Sequence, residues 1–282
     1  MINHIKISNV ICLASYIVLI GLFLVSCKST TVNIDTISAS SSLSPSNKYK
    51  LLELDAFGNT YLLTNKNVLQ KFDENNKLLF EYSFNRQGQI SRVDARNPQK
   101  ILVYLQEFQN IVFLDNTLSV IKTLNLESLG YWAINNVALS NDNFIWIYDP
   151  NVHQLIKINE NGQRVLQSNE LIQDNISDAF VTRIMVDNNK VYLACENQII
   201  CFNQFGQFDK VLPLVYDKIQ LFNNQLLFLK DKTISRQSLK VEYLFEENDV
   251  IHTSTKALIG FKLSKEGKLF LLEAAGLTHT QL

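Results

Sequence analysis

The chain has 282 residues, with 26 basic and 27 acidic side chains and a formal net charge of −1. So even a balance excludes a nucleic-acid binder, which needs a basic face, and a protein held to lipid by charge alone. With 46% hydrophobic residues, 17 Phe, 10 Tyr and only 9 Gly and 4 Pro, the body is globular rather than disordered.

Residues 1–26 read as an export signal. The apolar run Val10–Val25, broken by Ser15, is short of the roughly 20 residues a spanning helix needs and suits a signal h-region. Its end, Leu24-Val25-Ser26-Cys27, resembles a bacterial lipobox, and that resemblance makes Cys27 the lipidated first residue of the mature protein. An uncleaved anchor with an incidental cysteine is the alternative. Diacylglycerol on the sulfur and a further chain on the freed amine would give stable anchoring, because one chain alone holds weakly. Lys28 stands where signals for inner-membrane retention resemble an Asp, so the expected address is the outer membrane, facing the periplasm. Cleavage removes Lys6 and no acid, leaving 25 basic against 27 acidic residues.

Residues 27–49 read as a tether, with six serines between Ser38 and Ser46. Within it, Thr31-Val32-Asn33-Ile34-Asp35-Thr36-Ile37 alternates apolar and polar, the pattern of a strand.

From residue 50 to 282 the chain repeats. Each of six units has an alternating strand, a polar turn and a second strand with a bulky residue in a fixed place. Those anchors are Tyr61, Leu102, Trp146, Tyr192, Leu227 and Phe270, spaced 41, 44, 46, 35 and 43 residues apart. In four units a second hairpin follows, turning at Asp73, Asp115, Asn159 and Asn203, where an Asx side chain can bond the backbone two residues on. Two hairpins per unit of about 40 residues predict four-stranded antiparallel blades and an all-β, six-bladed β-propeller. The sixth unit lacks one strand, and residues 31–37 are expected to supply it and close the ring.

The repeat, with Gly58-Asn59-Thr60-Tyr61 at a turn and Lys71-Phe72-Asp73 at a strand end, resembles NHL-like six-bladed propeller domains over residues 50–282. Leader and body together are similar to an uncharacterised group of six-bladed propeller lipoproteins from bacterial envelopes. The likeness implies an architecture and no particular activity.

Catalytic patterns are sparse. His153, His252 and His279 share no metal-ligand spacing with one another or with cysteine, and His252 reads as a loop residue. Cys195 and Cys201 are expected to be buried free thiols, with a cross-strand disulfide as the alternative. Asp55, Asp94 and Asp187 end first strands and are expected to fix turns. Candidate contact residues are Arg92, Tyr131, Trp132, Phe180 and Arg183, read as part of the loops around one mouth of the channel. Plugging of the channel by the same side chains is the alternative. The expected function is a non-enzymatic module that binds a protein or glycan of the envelope, moored through lipid at Cys27, with no cofactor, metal or nucleic acid. The competing reading is a hydrolase or lyase with a metal in the channel, as in lactonase-like propellers.

Overall fold

A computed structural model describes residues 48–171, 180–187, 189–239 and 249–282. The leader, Cys27 and the segment 31–37 lie outside the described residues. No described helix is long and apolar enough to cross a membrane.

The body is a six-bladed β-propeller of antiparallel meanders. The first blade runs from β1 (Tyr49–Leu54) to β4 (Leu78–Ser83), the second from β5 (Arg92–Asp94) to β8 (Val120–Asn125). The third runs from β9 (Asn136–Leu139) to β12 (Arg164–Gln167), the fourth from β13 (Val181–Asp187) to β16 (Phe208–Pro213). The fifth runs from β17 (Lys218–Phe222) to β20 (Asp249–Thr253). The sixth contains β21 (Leu258–Leu263), β22 (Lys268–Glu273) and β23 (Gly276–Gln281). Among the described residues the last blade has three strands, in agreement with the missing strand read from the repeat. The fifth blade has a fourth strand that the Asx signature did not announce, and His252, expected in a loop, lies on it.

Six hydrophobic clusters hold the ring, one at each interface between neighbouring blades. The anchors build them: Tyr61 and Trp146 are at most 1% exposed. The cluster of Tyr49, Leu52, Leu62, Phe72, Phe270 and Leu272 joins the first blade to the sixth and so closes the circle. Burying both faces of every sheet against a neighbour is why the second strands read as nearly continuous apolar runs.

The Asx turns form as the repeat requires. Oδ1 of Asp73, Asp115, Asn159 and Asn203 accepts the backbone N–H groups two and four residues on, at 2.8–3.0 Å. Gly162 and Gly206 then take φ of +78° and +71°. In the second blade Leu118 holds the same left-handed conformation, at φ +63°, and is itself buried between the first two blades. That burial offsets the strain of a branched side chain there.

Cys195 and Cys201 are buried free thiols, pushed up to about 12 by desolvation. Cys195 ends β14 (Lys190–Cys195) and packs toward the third blade; Cys201 pairs with Tyr192 and packs toward the fifth. They face opposite sides of one sheet, which rules out the cross-strand bridge.

Candidate functional site

Strand register fixes what faces each anchor. Glu53 lies opposite Tyr61, Asp94 opposite Leu102, and Ala138 opposite Trp146. Met185 lies opposite Tyr192, Gln220 opposite Leu227, and Lys262 opposite Phe270. Around the axis β5 neighbours β9, β9 neighbours β13, β13 neighbours β17, β17 neighbours β21, and β21 neighbours β1. Five of them, with residues of the turns that follow, line a cavity of about 240 Å³.

The cavity is organised by charge. Glu53 is buried and bonds Lys262 Nζ through Oε2 at 2.5 Å and Arg183 through Oε1 at 3.1 Å. Burial works against its ionisation, but Lys262, Arg183 and Arg92 together hold its carboxyl below the usual value. Lys262 is itself pushed down to about 8 by burial, with Glu53 opposing. Arg92 is pushed down to about 9 by burial and by the like charge of Arg183, against the pull of Glu53 and Asp94. Among the described residues the one hydrogen bond from Arg92 goes to the Ile184 carbonyl, at 3.4 Å. The Nε atoms of Arg92 and Arg183 are buried and meet no hydrogen-bond partner.

Asp94 forms a second unit. Arg96 grips its carboxylate through Nε at 2.9 Å and a terminal nitrogen at 2.7 Å, a bidentate pair. The same guanidinium donates to the carbonyls of Val186 at 2.5 Å and Leu139 at 2.6 Å, tying the second, third and fourth blades. Against the effect of burial, Arg96 and Arg92 hold the Asp94 carboxyl far below the carboxylate range.

The five residues read as one mouth divide into two places. Arg92 and Arg183 sit on first strands, not in the entering loops, and line the cavity. Trp132 and Phe180 precede β9 and β13, at the opposite ends of the first strands, and are 56% and 69% exposed. Tyr131 packs against the cluster between the second and third blades, its hydroxyl 3.5 Å from the Gly162 carbonyl. Asp55 fixes a turn as expected, accepting from the backbone of Phe57 and Asn59. Asp187 accepts from the Asn224 backbone in the fifth blade, at 2.8 Å. Sequence reading missed Glu53, Arg96 and Lys262. For Glu53 and Lys262 the available signal was the position eight residues before an anchor. Among the described residues, no group of three or more His, Cys, Asp or Glu side chains is placed to hold a metal ion.

No family model matches the chain, and no curated protein does. Solved structures do. The chain is similar to a streptogramin B lyase at 12% identity, with 85% of each chain covered and a TM-score of 0.58. It is similar to virginiamycin B lyase from Staphylococcus aureus at 13% identity, covering 85% of this chain and 83% of that one, TM-score 0.54. It is also similar to the Pan2 WD40 domain of Neurospora crassa at 8% identity, covering 84% and 80%, TM-score 0.53. At such identities the likeness shows the fold alone. It places the chain among the β-propellers, a scaffold that carries many activities.

Proposed function

We propose that this protein is an envelope lipoprotein, anchored by lipid at Cys27 in the outer membrane and facing the periplasm, whose propeller binds a protein or glycan partner without catalysis. The observation that carries the reading is the exposure of Trp132 and Phe180 on connections held by a rigid ring. Large aromatics in that setting anchor interfaces, since they offer much contact area for little conformational entropy. An indole face suits a sugar ring as well as a protein pocket.

The lyase reading is less well supported. A variant of the Staphylococcus aureus lyase with one histidine replaced by alanine is catalytically inactive. Here His153, His252 and His279 lie in a turn, on β20 and on β23, and none lines the cavity. Glu53 and Asp94 are engaged in ion pairs and held ionised, which suits them poorly to donating protons.

Crosslinking in native envelopes tests the proposal. Wild type should capture a discrete partner, and the double variant Trp132→Ala, Phe180→Ala should lose it at an unchanged melting temperature. Capture retained by the variant would move the contact surface elsewhere. Stabilisation by added calcium would revive the metal-dependent hydrolase.

A further inference from the structure

The channel cavity is lined by five cations, Arg92, Arg96, Arg183, Lys262 and Lys265, against four carboxylates, Glu53, Asp55, Asp94 and Asp187. Arg183 and Lys262 share the carboxylate of Glu53 and Asp94 is engaged by Arg96, while among the described residues Arg92 makes no ion pair. A buried cation without a full partner is expensive, and so is a buried N–H with no acceptor. Arg92 shows both defects, and Arg183 shows the second. Two other buried cations of the ring are partnered: Lys71 reaches the Asn116 carbonyl at 2.9 Å, and Lys157 reaches Asp142 at 2.6 Å.

We infer that the cavity is a receptor for a small organic anion, its carboxylate or phosphate held by Arg92 and Arg183 beside Lys262. Guanidinium forks match both oxyanions in two-point geometry, and Lys262 adds a point charge. Met185, Leu221 and Phe222 line the same cavity and offer apolar surface to the remainder of the ligand. About 240 Å³ has room for roughly eight waters, or for one molecule of comparable size. Glu53 does not close the site. It orients Arg183 and Lys262 and leaves Arg92 as the cation most in need of a counter-charge. Neither Trp132 nor Phe180 lines the cavity, so the site goes beyond the partner proposal and does not depend on it.

Thermal melting of the full-length protein in neutral detergent tests this, with benzoate, phenyl phosphate, benzyl alcohol and sodium chloride as additives, the salts at matched ionic strength. Benzoate or phenyl phosphate should raise Tm by about 5 °C at a hundredfold excess over Kd. Benzyl alcohol and chloride should not, and whichever acid acts identifies the head group. Arg92→Met should abolish the shift. Without anion this variant should melt no lower than wild type, because it removes an uncompensated charge. Arg183→Lys, which retains a cation for Glu53 but lacks Nε, should weaken binding at least tenfold. Equal shifts from chloride, no shift from either acid, or undiminished shifts in both variants would overturn the assignment.

Discussion

Two strand positions face each other in every blade and obey opposite rules. On the second strands stand Tyr61, Leu102, Trp146, Tyr192, Leu227 and Phe270, all large, apolar or aromatic, and all buried. On the first strands, directly opposite, stand Glu53, Asp94, Ala138, Met185, Gln220 and Lys262, no two alike. The anchors fill equivalent spaces between blades, so the fold demands the same kind of residue six times. The facing positions border the axis, where equivalence ends and each side chain meets a different set of neighbours. Repetition marks architecture, and departure from it marks the place where chemistry can differ.

The largest effect should come from an anchor. Trp146 is 1% exposed, packs into the cluster between the third and fourth blades, and lies 5.2 Å beneath the Lys157 ammonium. Trp146→Ala should cost about 4 kcal/mol through lost burial and the cavity left behind. Denaturant unfolding measures it, and a loss below about 1 kcal/mol would mean that the blades pack independently of their anchors.

A facing position should match that cost only where it carries charge. Glu53→Gln keeps the shape of the side chain and leaves Lys262, Arg183 and Arg92 without their shared carboxylate. The expected loss is about 3 kcal/mol, the penalty for stranding buried cations. Adding Lys262→Met to that variant should restore part of the loss, since the stranded charge is then removed. If the double variant were less stable than Glu53→Gln, the carboxylate would be acting through packing and not through charge.

The comparison also explains what the sequence made legible. Strand alternation, anchors and Asx turns are local, each readable within about ten residues, and they gave six blades and the incomplete last one. The fourth strand of the fifth blade escaped because no Asx turn announces it. Arg92 and Arg183 stood out as unusual residues, but their loop placement failed: the strand entry falls at or before them, at Arg92 and at Val181. Glu53 and Lys262 escaped altogether. Each resembles the polar member of an ordinary alternating strand, and closure of the ring between first and sixth blades is what brings them within 2.5 Å. No local pattern encodes a pairing made by the two ends of a circle.

The smallest expected effect concerns the proton on Lys262. Burial lowers its pKa from 10.5 to about 8, so below pH 8 both folded and unfolded chains hold the proton and the folded state bears the full desolvation cost. Between about 8 and 10.5 the unfolded chain still holds a proton that the folded chain has released, and stability therefore rises with pH over this window. Cys195 and Cys201 act in the opposite sense above pH 9, because burial raises them to about 12. Arg92, facing Lys262 from β5, is lowered as Lys262 is, while Glu53 and Arg183 complete the cluster. Comparing wild type with Lys262→Met separates the contributions, since the two thiols are common to both. From pH 8 to 10 the wild type should gain on the variant by about 1 kcal/mol per pH unit. Parallel profiles would show that Lys262 keeps its proton throughout, and that Glu53 compensates its burial more fully than the geometry of a shared carboxylate allows.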